Sequence, residues 1–302
     1  MSGQQPTAIL HIDFHSPEEE LLHPLLQEKE VRLFVKRDDL IHPFISGNKW
    51  RKLKYVLARA QAENRRHLVT FGGAWSNHLV ATACAGAKFG FNTTGFVRGE
   101  EVENPQLSLC RIFGMVLRFV DRTAYRDKKD LFAQHYGDDP EAYFIDEGGA
   151  SIEATKGCAE IIGELSQQYD HLFCACGTGT TLAGLGLGIA GKELHTRLHG
   201  VPVLKGGDFI RQEVKKLTPH PYPFDLHTDY HFGGYAKIKP ELTHFIRKFC
   251  SSSGILIEPV YTGKLFFAIF DLLEKDYFSH GDRILALHTG GLTGMQWMKS
   301  GH

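Results

Sequence analysis

The sequence predicts an α/β protein of two domains, each an open twisted sheet flanked by helices. Three observations carry this. Short apolar runs such as "HLVTFGG" (67–73) and "HLFCAC" (171–176) read as strands covered on both faces. Segments of helical character separate them, as parallel connections require. Four presumed strands run into glycine- or hydroxyl-rich turns, "GGAWSNH", "GTGTT", "VYTGK" and "HTGG". In open α/β sheets ligands collect outside the carboxyl ends of strands, so four such ends point to one pocket built from several turns.

The elements follow in order. In "FISGNKWRKLKY" (44–55) a Ser46-Gly47-Asn48 turn precedes a helix that carries Lys49, Lys52 and Lys54 in its first turns. Lys49 and Lys52 share one face. Cations there oppose the helix dipole unless an anion sits nearby. The strand at 67–73 leads to a small-residue helix over 78–90 stopped by Gly90, then to a strand in "NTTGFVRGE". "EATKGCAEIIGELSQQY" (153–169) reads as a helix with Ile161, Ile162 and Leu165 on one stripe. The strand at 171–176 precedes a small-residue helix at 181–191. The proline- and aromatic-rich stretch 217–235 reads as ordered but irregular. Strands are expected again at 254–260 and 283–291.

Composition narrows the functional classes. A chain of 302 residues holds about two domains. A net charge of -1 gives no footprint for nucleic acid. No apolar run approaches a membrane span, and "MSGQQPTAILHIDF" lacks the basic and apolar regions of a signal peptide. Six cysteines with apolar neighbours read as reduced, buried thiols of a cytoplasmic protein. Cys174 and Cys176 are expected to point to opposite faces of their strand. His227 and His231 have metal-like spacing, but prolines nearby argue against a helix, so no metal is expected.

Two motifs carry chemistry. In "CACGTGTTLAGLGLG" (174–188) a strand enters Gly177-Thr178-Gly179-Thr180-Thr181 and then a helix. Glycines let backbone N–H groups approach an anion, and the helix dipole and threonine hydroxyls add to the attraction. It lacks the Gly-Lys-Ser/Thr ending of a Walker loop and the third glycine of a dinucleotide fingerprint. In "FGGAWSNHLVAT" (71–82), Ser76, Asn77 and His78 stand at a helix start, where a serine or asparagine can also be a cap. His78 reads as a base or a structural histidine. A phosphate cup, a lysine behind a Ser-Gly-Asn turn and several hydroxyls together fit a pyridoxal phosphate enzyme.

"VKRDDLIHPFISGNKWRKLKYVLARA" and "TFGGAWSNHLVATACAGAKFG" resemble the 1-aminocyclopropane-1-carboxylate deaminase / D-cysteine desulfhydrase family, fold-type II pyridoxal phosphate enzymes related to the tryptophan synthase β subunit. "DEGGASIEATKGCAE", "CGTGTTLAG", "GGYAKIKPE", "EPVYTGK" and "LHTGG" extend the resemblance over residues 31–296, in the family's order. It implies pyridoxal phosphate on Lys49, with Lys52 and Thr178, Gly179, Thr180 and Thr181 at the phosphate and Asn77 at the ring oxygen. Ser76 would bind the substrate carboxylate, near Trp75, Asn77 and His78. Tyr235 and Tyr261 match two tyrosines near the substrate, and Lys54 would be solvated. Family deaminases carry Glu and Leu where this chain has Thr262 and Thr289, positions that face the cofactor's ring nitrogen. Two departures stand out: Trp75 replaces a common Gln, and the chain is short between 191 and 233.

The resemblance implies a large cofactor-binding domain from 1–52 and 150–302, a small domain from 53–149, and a homodimer. It implies α,β-elimination on a small amino acid, with D-cysteine desulfhydration ahead of cyclopropane deamination. A cofactor-binding homologue without turnover is the reading from another class.

Overall fold

The computed structural model of the chain describes residues 10–292. Residues 1–9, part of the stretch read as lacking a signal peptide, and residues 293–302, which include the end of the family resemblance, lie outside them. Among the described residues the strands in chain order are β1 (Glu18–Leu21), β2 (Arg32–Lys36), β3 (His67–Gly73), β4 (Asn92–Arg98), β5 (Val116–Val120), β6 (Ala142–Ile145), β7 (His171–Cys176), β8 (Arg197–Pro202), β9 (Phe224–Leu226) and β10 (Arg283–Leu287). The α-helices are α1 (Pro24–Glu28), α2 (Asn48–Ala62), α3 (Asn77–Phe89), α4 (Pro105–Ile112), α5 (Lys128–Tyr136), α6 (Ile152–Gly163), α7 (Thr180–Gly191), α8 (Phe209–Leu217), α9 (Pro240–Ser253) and α10 (Thr262–Glu274).

Two compact units result. One holds Leu53–Ala150 with residues 10–13, the other Phe14–Lys52 and the chain from Ser151 on, so the division falls inside α2. The first contains a four-stranded sheet in the order β5-β4-β3-β6, parallel throughout. The second contains a six-stranded sheet, β1-β2-β10-β7-β8-β9, in which β1 alone runs antiparallel to its neighbour. The architecture is the expected α/β arrangement of parallel sheets flanked by helices.

Local chemistry explains the element ends. Ser76 caps α3 by accepting the Leu79 N–H, and Gly90 ends it at φ 76°. Helix α6 stops at Gly163, short of the expected 169. Glu18 of β1 there accepts the Ser166 N–H and the Tyr169 hydroxyl and draws the chain onto the sheet edge. The glycines of α7 allow close packing on α6: a Cβ at Gly184 would lie 2.4 Å from the Cys158 Cβ, and one at Gly188 2.6 Å from the Ala159 carbonyl oxygen.

The strand expected over 283–291 ends at Leu287, and two further expectations fail. Residues 254–260 form no strand. Their polar backbone groups find side chains instead of a neighbouring strand: the Ile255 N–H meets Ser253, the Leu256 carbonyl meets His288, and the Glu258 N–H meets Thr262. Cys174 and Cys176 do not point to opposite faces. Residues two apart in a strand share a face, and their sulfurs lie 4.0 Å apart in the core. The irregular stretch 217–235 does contribute one short strand, β9, to the sheet edge.

Histidines link β7, β8 and the residue that follows the edge strand β9 in the larger sheet. His171 Nε2 lies 3.0 Å from Asp282, His171 Nδ1 2.9 Å from His199 Nε2, and His199 Nδ1 3.1 Å from His227 Nε2. The Asp282 carboxylate accepts, so all three rings donate through Nε2, and His171 and His199 accept at Nδ1. Burial, then the neighbouring imidazoles His171 and His227, push His199 down to about 2. The unfolded chain therefore binds the extra proton below about 6.5, and stability falls as pH drops through that value. His199 alone should cost about 1.4 kcal/mol between pH 7.5 and 5.5. Urea melts of the wild type and His199→Gln at the two values check this. Equal pH losses in both proteins would remove the histidine chain as the cause.

Candidate active site

Helix α2 begins at Asn48, directly after Gly47 at φ 58°. A Cβ at Gly47 would lie 2.0 Å from the Thr289 carbonyl oxygen, and a Cβ at Gly290 2.1 Å from Ser46 Oγ. Two glycine turns, at 46–48 and 289–291, thus pack backbone to backbone. The Asn48 N–H donates to the Thr289 carbonyl, and Thr289 is buried. Lys49 opens the helix beside this junction.

Asn48, which carries no predicted role, is the joint of the candidate site. Its Nδ2 donates to Thr181 Oγ1 at 3.0 Å, and its Oδ1 accepts from Lys49 Nζ at 2.7 Å. One side chain therefore ties the lysine to the glycine-threonine turn. The residue stood in the quoted Ser-Gly-Asn turn, but a turn asparagine has a sufficient local explanation and gave no signal of reaching a distant strand end.

The glycine-threonine turn follows β7. Gly179 adopts φ 76°, and α7 starts at Thr180 with no side-chain cap. The Ala183 N–H, bonded to the Gly179 carbonyl, makes the first helical bond, so the N–H groups of Thr180, Thr181 and Leu182 precede the ladder. These residues are buried. The Thr178 and Thr180 hydroxyls lie 3.0 Å apart. A Cβ at Gly177 would lie 3.3 Å from Tyr261, so the turn abuts that ring. Lys49 Nζ is 6.0 Å from the Tyr261 ring centroid, and the Tyr235 and Tyr261 rings meet edge to face at 6.0 Å. Lys49, Thr181, Thr289, Tyr261 and Tyr235 are thereby brought together in the larger unit.

Electrostatics suit a chemical role for the lysine. Burial, then the Lys52 ammonium, push Lys49 down to about 7. Lys52 is itself lowered by burial and is only 5% exposed. A lysine held near neutrality supplies an unprotonated amine that can add to a carbonyl or accept a proton. Lys54 is half-buried with its ammonium over the Tyr55 ring, not simply solvated.

Glu258 is a second residue of the site region that carries no predicted role. It is buried, and its carboxylate accepts the N–H groups of Val260, Tyr261 and Thr262 at 2.6–2.8 Å. Burial raises its pKa, and these bonds oppose the rise. An acid inside the apolar run "GILIEPV" was the available signal. Thr262 is fully buried, and its hydroxyl accepts the Glu258 N–H at 2.9 Å.

The remaining candidates lie in the smaller unit. Gly72 lets the turn after β3 close, since a Cβ there would lie 2.7 Å from Ser76 Oγ. Asn104 Nδ2 donates to the Ala74 carbonyl and braces that turn. Trp75 is 37% exposed, while Ser76 and Asn77 are half-buried at the start of α3. His78 points into the core: it is 2% exposed, with Nε2 2.8 Å from the Thr70 hydroxyl. That hydroxyl donates to the Ile145 carbonyl, so His78 is the donor to Thr70.

The buried, uncapped start of α7, joined through Asn48 to a lysine near neutrality, fits a ligand that carries both a phosphate and an aldehyde. Comparison with known proteins agrees. The family model for "pyridoxal-phosphate dependent enzyme" matches residues 18–290. A putative 1-aminocyclopropane-1-carboxylate deaminase of Pyrococcus furiosus is 34% identical over 87% of this chain and 85% of its own. The bifunctional mitochondrial D-cysteine desulfhydrase/1-aminocyclopropane-1-carboxylate deaminase of Arabidopsis thaliana is 29% identical, covering 88% of this chain and 73% of its own. A crystal structure of an ACC deaminase homologue superimposes with a TM-score of 0.82 at 31% identity, over 96% of this chain and 93% of that one. The chain therefore belongs to the fold-type II pyridoxal-phosphate-dependent enzymes, in the 1-aminocyclopropane-1-carboxylate deaminase / D-cysteine desulfhydrase family.

Proposed function

We propose that the protein is a D-cysteine desulfhydrase, converting D-cysteine and water into pyruvate, ammonia and hydrogen sulfide. Pyridoxal phosphate, when bound, supplies the electron-withdrawing ring that makes the substrate Cα proton acidic. Lys49 would hold the cofactor and take that proton at Nζ. Lys52, Thr178, Gly179, Thr180 and Thr181 would hold the phosphate. Asn77 would bond the ring oxygen and Ser76 the substrate carboxylate, with Trp75 and His78 around it. Tyr235 and Tyr261 would face the departing sulfur. The proposed assembly is a homodimer, and the proposed compartment the cytoplasm, in keeping with six free thiols.

The observation that carries this reading is the chemistry at position 262. Family deaminases resemble one another in a glutamate there, whose negative charge would keep the ring nitrogen protonated. Thr262 brings no charge. The adjacent acid, Glu258, spends its carboxylate on three backbone N–H groups. A weaker electron sink suffices when a thiolate leaves and serves poorly when a cyclopropane ring must open. Deamination remains the second reading, favoured by the name of the Pyrococcus relative.

The test is sulfide and keto-acid release by the purified holoenzyme. D-Cysteine should be turned over faster than 1-aminocyclopropane-1-carboxylate, and Thr262→Glu with Thr289→Leu should shift the ratio toward deamination. A wild-type enzyme that opens the cyclopropane faster would overturn the proposal. Turnover of neither substrate would direct attention to Trp75 and residues 191–233.

A further inference from the structure

Tyr235 sits on an unusual length of backbone. Phe232, Gly233 and Gly234 adopt φ of 54°, 100° and 128°, and Ala236 adopts 54°. Positive φ is sparsely populated for residues with a Cβ, and a segment that strings such residues together persists only where its surroundings impose it. The element that imposes it is in the structure. Lys264, in the first turn of α10 and fully buried, donates from Nζ to the carbonyls of Val203, His231 and Gly234 at 3.1, 2.9 and 2.8 Å. All three ammonium protons are used. His231 directly precedes the segment and Gly234 lies within its glycine turn, while Val203 follows β8. Carbonyl dipoles, and not a carboxylate, hold the charge.

We propose that Lys264 is the positioning residue for Tyr235, its ammonium clamping the glycine turn so that the ring stays beside Tyr261. Lys264 lies three residues after Tyr261, so one turn of α10 sets both tyrosines. Glu258 fixes the start of that turn through its N–H groups, and Lys264 fixes the neighbouring loop through its carbonyls. Burial lowers the Lys264 amine to about 8, yet the three carbonyls present an acceptor for every proton of the charged form. A hydrophobic residue would fill the same volume without holding the loop. The inference rests on the reading of Tyr235 as a substrate-facing residue.

The experiment uses the holoenzyme and two measurements. Hydrogen exchange followed by mass spectrometry should show faster exchange in residues 231–238 of Lys264→Met, with the 171–176 strand unchanged. Kinetics, on whichever of D-cysteine and 1-aminocyclopropane-1-carboxylate is turned over faster, should show kcat lowered about ten-fold or more with cofactor retention unaltered. Tyr235→Phe should lower kcat, and the double variant should be no worse than the poorer single one, because the two residues act as a unit. Where Lys264→Met folds poorly, Gly234→Ala disturbs the same turn from the other side. Its added Cβ meets nothing nearer than 3.9 Å, so only the φ of 128° is penalised. It should reproduce the exchange and kcat changes. Unchanged exchange at 231–238 overturns the clamp. Faster exchange with losses that multiply in the double variant overturns the link to Tyr235. Faster exchange with a Tyr235→Phe enzyme of wild-type kcat and KM overturns the reading of Tyr235 itself, and the positioning role with it.

Discussion

Lys49→Ala should abolish turnover and the covalent attachment of the cofactor together. Removal of a positioned general base costs about 10²–10⁴-fold by itself, and loss of the covalent link adds to it. Borohydride reduction of the wild type should fix the cofactor's mass on the peptide that carries Lys49. The Ala variant should stay unlabelled while still binding the phosphate end through the turn at Thr178–Thr181. Lys49→Arg should be as inactive, because a guanidinium keeps its proton at any working pH. The pH dependence follows from the lysine's surroundings. Burial and the Lys52 charge bring its amine to about 7, so the reactive neutral fraction grows as pH rises through 7. Capture of pyridoxal phosphate by the apoenzyme should accelerate over the same interval. Replacing Lys52 with Met removes the repulsive charge, so the midpoint should move upward. Retained labelling in Lys49→Ala would transfer the role to another lysine and dissolve the proposed mechanism.

The parts of the molecule that were legible in the sequence share a cause. Strands β3 and β7 and helices α3 and α7 are long in apolar or small residues and end in glycine turns, so periodicity and punctuation coincide. Lys49 and the glycine-threonine turn stood out as candidates because an ammonium near a helix start and a stretch rich in N–H donors both ask for an anion, and Asn48 brings the two together. Asn48, Glu258 and Lys264 did not stand out. Each acts through bonds to residues far along the chain or to backbone groups, and a sequence shows side-chain types but not which carbonyl or N–H they meet. The expected strand at 254–260 shows the same limit. Its apolar pattern is that of a strand, but the backbone partners are the side chains of Ser253, Thr262 and His288. Strand β1, with three glutamates in four residues, carries no apolar signal; it pairs with β2 at the sheet edge, where one face is in water.

Arg51 belongs to the same class of hidden residue, and its removal should have the largest effect on stability. It lies between Lys49 and Lys52 on α2, two residues from Lys49 and so on another face of the helix. Its side chain is 1% exposed and forks onto Asp38, itself fully buried, at 2.8 and 3.1 Å. It also bonds Glu164 after α6, which Lys36 of β2 approaches to 3.2 Å. Burial opposes the Arg51 charge, and the bonds to Glu164 and Asp38 more than compensate, raising its pKa. The network fastens the first turn of α2 to β2 and α6 from behind, and it leaves Lys49 Nζ to its own bond with Asn48 Oδ1. Arg51→Met should cost about 3–5 kcal/mol, because it leaves the Asp38 carboxylate buried with Ser16 as its remaining side-chain partner among the described residues. Most of that cost comes from the abandoned acid and not from the lost attraction. The double variant Arg51→Met with Asp38→Leu should therefore recover a large part of it, since a buried pair replaced by apolar groups is often near neutral. Urea denaturation of the two variants measures the difference. A single variant within about 1 kcal/mol of the wild type, or a double variant no more stable than the single, would show that the network does not hold α2 in the way its geometry implies.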